Sequence, residues 1–249
     1  MIKATYIDHM GTDLSVVNAA RVSFDKQSSM YEDRFGVWHL EQRDVNLIKY
    51  LAAGMSSKDI EKWKNQMITA NDPDTVMEAY NALRQAEPHM SPFGHASASF
   101  YVEAPIFVAR QLVKHKFLRW NEISRRYVDD GPEFYVPDVW RGRSADKKQG
   151  SEGVIKDIDP DVVESLMECA RYDYNYLLQK GVAPEQARMV LPQSTMTAWY
   201  WSGSLDAFAS MCNLRCKGDT QYETRLVANQ ISEEMSKLFP VAWSALIDD

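Results

Sequence analysis

The residues best suited to chemistry lie together in residues 110–127, which carry six basic side chains and one acidic side chain. In a chain of 249 residues with a net charge of −7, this clustering of positive charge needs a specific explanation. Lysine supplies a point charge, and arginine can bind a phosphate through two parallel hydrogen bonds. The segment therefore favours a phosphate or pyrophosphate ligand, although basic runs are also common on surfaces that bind nothing. The basic residues are Arg110, Lys114, Lys116, Arg119, Arg125 and Arg126.

An apolar stretch leads into this basic segment. Residues 104–109 (APIFVA) begin a predicted helix, Ala104–Phe117, with Pro105 in its first turn. Because the start is apolar and the end is cationic, we expect the helix to begin in the interior and to end at a site. On such a helix Gln111 and His115 would be neighbours, four residues apart.

The rest of the chain is predicted to contain more helix than strand, in a mixed α/β or α+β fold. Strands are expected at residues 2–7, His95–Val102, Glu133–Val136 and Gln193–Trp201. Further helices are expected at Leu14–Val22 (capped by Asp13), Trp38–Ala53, Ser57–Thr69, Asp74–Gln85, Asp161–Gln179, Pro184–Val190, Leu205–Leu214 and Thr220–Leu238.

No boundary divides the chain clearly, so a single domain over residues 1–249 is predicted. Glycine, serine and charged residues dominate residues 138–158, which indicates an exposed, mobile loop.

Composition narrows the class of protein. A chain that is 45% hydrophobic can bury a substantial core. Its acidic total argues against non-specific binding to nucleic acid or to a membrane surface. No apolar run approaches the ~20 residues that a membrane span needs, and no secretory signal follows Met1. The three cysteines fit reduced thiols in the cytoplasm, and no metal site is predicted.

Several common nucleotide-binding motifs are absent from the sequence. The eleven glycines form neither the G-x-G-x-x-G turn of dinucleotide-binding folds nor a G-x-x-x-x-G-K-[ST] phosphate loop. A cofactor would therefore be bound by a less common architecture.

Residues 110–127 resemble the signature of flavin-dependent thymidylate synthases, which reads R-H-R, seven residues and then serine. Lys114-His115-Lys116 take the R-H-R place, Ser124 takes the serine, and Arg126-Tyr127 follow as in the family. The resemblance covers most of the chain and identifies it as a member of this family. Six further motifs occur in the family's order: Asn18–Phe24 (NAARVSF), His89–His95 (HMSPFGH), Ala104–Gln111 (APIFVARQ), Glu133–Pro137 (EFYVP), Ala187–Pro192 (ARMVLP) and Asn213–Arg215 (NLR).

The resemblance implies a fold, an assembly and a reaction. The fold would be α+β, with helices and an antiparallel sheet in a single domain, and the assembly a homotetramer whose active sites are shared between subunits. The reaction would be reductive methylation of dUMP to dTMP, with methylenetetrahydrofolate as carbon donor, NADPH as reductant and FAD as cofactor. FAD would carry out the redox chemistry, while the protein would position the substrates and polarise the uracil.

The resemblance also assigns individual residues. Arg215 would be catalytic, because a fixed guanidinium at the edge of uracil stabilises the anion that develops there. The expected FAD contacts are Ser91, Lys114, His115, Lys116 and Glu122. The expected dUMP contacts are Gln111, Lys114, Glu122, Ser124, Arg125, Arg126, Arg188 and Arg215.

The sequence departs from the family at several of these positions. Two arginines are replaced by Lys114 and Lys116, which keep the charge but lose the bidentate fork. Gly94 stands where the family usually has glutamate, and Arg125 stands where it has a small residue. Ser204 and Ser210 stand at positions where the family often has asparagines that face the flavin. These changes leave open the effect on FAD binding. They also leave open a 5-hydroxymethyl product, or a protein that binds flavin or nucleotide without catalysis.

Three side chains are of a type that could act as a covalent nucleophile. Ser124 has no obvious basic partner in the sequence, so phosphate or sugar binding is favoured over a nucleophilic role. Cys212 and Cys216 are interpreted as core thiols, since the flavin-dependent reaction needs no thiolate.

Overall fold

The computed structural model describes residues 1–128, 130–145 and 150–248. These residues form two compact units. The first, here the sheet unit, comprises Met1–Asp8, Ser99–Gly203 and Ser210–Glu233. The second, here the helical unit, comprises the other described residues. The single domain expected from the sequence stays a prediction.

Strands and helices alternate irregularly along the chain, and helix exceeds strand, as predicted. The strands are β1 (Lys3–Met10), β2 (Tyr31–Glu32), β3 (Trp38–His39), β4 (Ser97–Pro105), β5 (Leu118–Glu122), β6 (Trp140–Arg143), β7 (Ser151–Ile155) and β8 (Met196–Ser204). The helices are α1 (Asp13–Arg21), α2 (Gln42–Ala53), α3 (Ser57–Thr69), α4 (Pro73–Arg84), α5 (Ile106–Leu112), α6 (Pro160–Gln179), α7 (Pro184–Ala187), α8 (Leu205–Arg215), α9 (Tyr222–Leu238) and α10 (Pro240–Leu246). No helix within the described ranges is long and apolar enough to cross a membrane.

A four-stranded sheet in the order β1-β4-β8-β5 is the frame of the sheet unit. Alternate residues of β4 are buried, including Phe100 and Val102, as the alternating sequence predicts. The edge strand β5 pairs antiparallel with β8 over its whole length, from Leu118 opposite Gly203 to Glu122 opposite Trp199. This pairing brings the end of the basic segment to the edge of the sheet.

The helical unit is held together by buried polar contacts at helix ends. Asp13 accepts hydrogen bonds from the backbone N–H groups of Val241 and Ala242, each at 2.9 Å. The guanidinium of Arg21, at the end of α1, binds the fully buried carboxylate of Asp44 on α2 through Nε and a terminal nitrogen. Asp13 was predicted to cap α1, but this prediction is wrong by one residue: Thr12 is the N-cap, and Asp13 is the first residue of α1 and anchors α10.

The helix predicted at Ala104–Phe117 is the element whose bounds differ most from the structure. It begins at Ile106 and ends at Leu112, and the chain then turns through Phe117, whose φ is 64°. Leu118–Glu122, for which no element was predicted, form β5, where the Trp120 ring stacks on Trp199 at 4.3 Å between centroids. Pairing with β8 and aromatic packing override the local helical pattern.

Two other segments differ from the predictions. Trp38 belongs to β3, which pairs with β2, because Asp33 accepts the N–H groups of Phe35 and Val37 in the turn between them. The predicted loop at 138–158 contains an antiparallel hairpin of β6 and β7, with Trp140 opposite Ile155. Its predicted mobility stays a prediction, and residues 146–149 lie outside the described residues.

Other boundaries moved slightly. The predicted strand Glu133–Val136 is reduced to one bridge between Phe134 and Thr195. The end of the predicted helix Pro184–Val190 tightens into a 3₁₀ turn at Arg188–Val190. Helix α10 was not predicted at all.

Candidate active site

A contact between an arginine and a histidine lies at the centre of the site. Arg215 is the last residue of α8, and its Nε donates a hydrogen bond of 3.0 Å to Nε2 of His115, which follows α5. A guanidinium can only donate, so this nitrogen of His115 must accept and the ring must be neutral. Burial, together with the charge of Arg215, lowers the pKa of His115 to about 4. Burial also lowers the pKa of Arg215.

Gln111 lies against the same arginine and is held from two sides. Its backbone carbonyl accepts from a terminal nitrogen of Arg215 at 3.4 Å. Its side-chain Nε2 donates to Oε1 of Gln221, and its Oε1 accepts from the hydroxyl of Thr224 at 3.2 Å. The amide of Gln111 therefore has one defined orientation.

The turn after α5 presents a different environment. Lys114 and Lys116 are exposed on either side of the half-buried His115. Phe117 is 83% exposed and has a left-handed backbone, which is uncommon for a bulky residue. Backbone strain of this kind is found more often at functional sites, where the surrounding structure holds it in place. We call Lys114–Phe117 the basic turn.

A large cavity of about 700 Å³ opens in the sheet unit. Its volume lies in the range of sites for small molecules and cofactors. Glu122, Arg125 and Arg188, three of the predicted site residues, line it together with Arg110 and Glu103. The mixture of arginines and glutamates suits a ligand that carries both negative charge and hydrogen-bond donors.

Glu122 stands at the end of β5 and is held by two donors. The indole N–H of Trp120 donates to one carboxylate oxygen at 3.0 Å, and the hydroxyl of Thr197 donates to the other at 2.8 Å. These contacts direct the carboxylate at the edge of the sheet, beside the cavity.

The remaining signature residues form a compact turn after β5. The Oγ of Ser124 accepts from Nε of Arg126 at 3.2 Å, and the guanidinium of Arg126 lies over the ring of Tyr127 at 5.0 Å. Arg125 instead donates to the carboxylate of Asp130 at 2.7 Å, and only 16% of its side chain is exposed. Because the Ser124 hydroxyl accepts from a cation, its surroundings do not activate it as a nucleophile.

Arg188 and Ser91 are placed by short 3₁₀ turns. Nε of Arg188 donates to the backbone carbonyl of Glu185 at 3.2 Å, and the rest of the side chain is exposed beside the cavity. Ser91 begins the turn Ser91–His95 and is the one predicted site residue in the helical unit. A side chain at Gly94 in that turn would meet nothing within 4 Å, so lack of space does not explain the glycine.

The structure therefore divides the predicted residues of the sheet unit into two groups. Arg215, His115 and Gln111 form an inner cluster, completed by Gln221 and Thr224, which the sequence analysis missed. The outer group consists of side chains at the cavity, the turn after β5 and the basic turn: Lys114, Lys116, Glu122, Ser124, Arg125, Arg126 and Arg188. Gln221 and Thr224 carry no periodic signal, and only their position shortly after Arg215 could have indicated them.

Comparison with known proteins identifies the family. The family described as "Thymidylate synthase complementing protein" matches residues 5–241. A flavin-dependent thymidylate synthase from Thermus thermophilus is 33% identical over 240 residues, which cover 96% of this chain and 73% of that protein. One from Thermosipho africanus is 32% identical over 245 residues, covering 97% and 89% of the two chains.

A solved structure extends the likeness from sequence to fold. It is the UMP/dUMP methylase PolB from Streptomyces cacaoi, bound to 5-Br dUMP. The TM-score is 0.72 at 30% identity, over 98% of this chain and 94% of that one. With a family match that spans nearly the whole sequence and relatives of the same kind, this chain belongs to the flavin-dependent thymidylate synthase family of methyltransferases.

Proposed function

We propose that this enzyme methylates dUMP at carbon 5 of the uracil to give dTMP, with methylenetetrahydrofolate as carbon donor, NADPH as reductant and FAD as cofactor. The observation that carries the proposal is the contact of 3.0 Å between Arg215 and His115. It holds one guanidinium in a fixed, partly buried position among the motifs of a thymidylate synthase family.

Arg215 acts in this proposal on the uracil ring. The uracil must be polarised or ionised before carbon 5 can attack an electrophile, and a fixed cation at the edge of the ring stabilises the negative charge that develops on the ring oxygens as this happens. His115 and the Gln111 carbonyl hold the guanidinium before the substrate arrives. Little reorganisation is then needed during the reaction.

The phosphate of dUMP would be bound by side chains of the outer group. Ser124 and Arg126 present a hydroxyl and a guanidinium from one turn, and Arg188 is exposed beside the cavity. Arg125 is already paired with Asp130, so we assign its backbone rather than its guanidinium to the nucleotide. Gln111, Lys114 and Glu122 would complete the nucleotide contacts.

The basic turn fits FAD by its chemistry. Two exposed lysines can neutralise a diphosphate, and an exposed phenylalanine adjoins them. We assign Lys114, His115, Lys116, Glu122 and Ser91 to FAD. When bound, the flavin would supply the reducing equivalents that complete the methyl group.

We further infer a homotetramer that works in the cytoplasm. Large apolar side chains such as Phe24, Phe35 and Met189 are each at least 74% exposed, which favours burial between subunits. The free cysteines suit a reducing compartment. Light scattering at micromolar concentration tests the assembly, and a monomer would contradict it.

The product analysis that tests the reaction uses dUMP, methylenetetrahydrofolate, NADPH and FAD, with mass spectrometry of the nucleotide. We expect dTMP, and no product when any one of the four is omitted. A 5-hydroxymethyl nucleotide would mean that the site binds the same substrates but releases a different product. The substitutions at Lys114, Lys116, Ser204 and Ser210 leave this alternative open. UMP tested in parallel defines the sugar requirement, and no product from either nucleotide would contradict the proposal.

A further inference from the structure

A chain of side-chain hydrogen bonds leads from the inner cluster to a buried carboxylate. Glu223, near the start of α9, is 4% exposed. One of its oxygens accepts from Arg141 on β6 and from the hydroxyl of Tyr135 at 3.5 Å. The other accepts from Nε2 of Gln221 at 3.2 Å. Gln221 in turn accepts from Gln111, which accepts from Thr224. We call Glu223, Gln221, Gln111 and Thr224 the amide relay.

The chemistry of its first member gives this relay a direction. An ionised carboxylate can only accept, so Gln221 must turn its NH₂ group toward Glu223. Its oxygen then faces Gln111, which must turn its own NH₂ group toward Gln221. The oxygen of Gln111 is left facing the hydroxyl of Thr224, which donates. Each of the two amides would otherwise be free to flip, since a primary amide presents donors on one side and an acceptor on the other.

We propose that Glu223 is a positioning residue for the nucleotide, which acts through Gln221 to orient the amide of Gln111. This inference rests on the proposed function, in which Gln111 contacts dUMP. Arg141 balances the charge of Glu223 from the other side, with 22% of its own side chain exposed. The hairpin of β6 and β7 is therefore coupled to the nucleotide site through one ion pair.

The test exchanges the carboxylate and the amide within the relay. Glu223→Gln keeps the shape but allows both amides to flip, and we expect the dissociation constant for dUMP to rise about tenfold. Adding Gln221→Glu again places opposite Gln111 a group that can only accept hydrogen bonds. This double variant should bind dUMP within about twofold of the unmodified enzyme, because the orientation of Gln111 is restored.

Calorimetry on the FAD-loaded protein measures these constants, and thermal melting establishes that each variant is folded. Glu152→Gln is the matched control. Glu152 lies in the hairpin of β6 and β7, as Arg141 does, but it accepts a hydrogen bond from Ser144 and not from the relay. A purely structural role for Glu223 predicts no rescue by Gln221→Glu. Unchanged binding in Glu223→Gln, or a loss that the exchange does not restore, overturns the proposal.

A second variant keeps the test independent of Glu223. If Glu223→Gln does not fold, Thr224→Val removes the donor at the other end of the relay with the same side-chain shape. We expect about a fivefold weaker dUMP affinity, since one hydrogen bond to Gln111 is lost. Unchanged affinity overturns the proposal.

A failure of the proposed function would look different. If the unmodified enzyme does not bind dUMP, the relay is tested on the ligand-free protein by NMR with ¹⁵N-labelled glutamine. The side-chain resonances of Gln111, assigned with Gln111→Ala, should shift and exchange faster with solvent in Glu223→Gln. Identical resonances overturn the relay, whatever the substrate.

Discussion

The inner cluster and the outer group differ in how their charges are held. Arg215 and His115 are partly buried and contact each other, and burial lowers the pKa of both. Lys114, Arg126 and Arg188 are exposed, and the side chains of Arg126 and Arg188 donate hydrogen bonds to residues two and three positions away in the chain. Preorganised groups suit the stabilisation of a transition state, whereas exposed cations suit the capture of a charged ligand. The difference predicts that Arg215, held by His115, governs turnover, whereas the exposed cations of the outer group govern affinity.

Removal of Arg215 should have the largest effect and tests the inner side of this comparison. Arg215→Ala is expected to lower kcat about 10²–10³-fold, roughly 3–4 kcal/mol, because one preorganised donor to the developing charge is lost. Steady-state kinetics at saturating dUMP measure this change, and flavin absorbance should be retained. Cys216→Ser is the control, next in the chain, and should stay active. Normal turnover in Arg215→Ala would remove the distinction between the two groups.

The ion pair behind the inner cluster should matter for folding. Arg141→Met leaves the Glu223 carboxylate buried without its cation, and we expect the free energy of unfolding to fall by about 3 kcal/mol. Urea denaturation measures the loss. Replacing both residues by methionine should recover most of it, since no uncompensated charge remains. A single variant as stable as the unmodified protein would show that the pair is dispensable.

The pH dependence of stability sharpens the contrast between buried and exposed groups. The pKa of His115 is lowered from 6.5 to about 4, so between these values the unfolded chain binds a proton that the folded protein does not. Its contribution is fully present above pH 6.5 and is lost as the pH falls toward 4. After allowance for partial exposure, we expect the protein to lose about 2 kcal/mol more than His115→Gln over this range.

Urea denaturation at several pH values compares the two proteins. Histidine NMR gives the pKa of His115 directly. A value near 6.5 would mean that the ring is not held neutral against Arg215.

Arg126 should show the smallest effect and tests the outer group. Arg126→Ala is expected to raise KM for dUMP about tenfold, with little change in kcat, because a phosphate contact is equally present in ground and transition states. Raised ionic strength should weaken dUMP binding to the unmodified enzyme more than to this variant. Arg84→Ala, an exposed change on α4, serves as the control. A fall in kcat with unchanged KM would place Arg126 with the inner cluster instead.

Elements with local signals were predicted well. Helix α3 has the predicted bounds because Ser56 caps it with a hydrogen bond to the Asp59 N–H, and its apolar residues recur at helical spacing. Helix α2 ends at Gly54 as expected, since φ is 67° there and a side chain would collide with the backbone of Glu87. Both signals lie within a few residues of the structure that they specify.

The failures share the opposite property. Residues 113–117 were predicted as helix and no element was predicted for residues 118–122, yet residues 118–122 form a strand that pairs with β8, about eighty residues later in the chain. Trp120 is stabilised in this strand by stacking on Trp199, which is distant in the sequence. No local pattern contains that information.

The sequence by itself determined the family resemblance, the fold class and the types of residue in the candidate site, because motifs and periodicity are written in neighbouring positions. Only the tertiary structure decided which of those residues act together. Gln111 meets Gln221 across 110 positions of the chain, and Arg215 meets His115 across 100. Such contacts join α5 and the turn after it to α8 and to the start of α9, and the free energy that brings these elements together comes from the whole core rather than from any one segment.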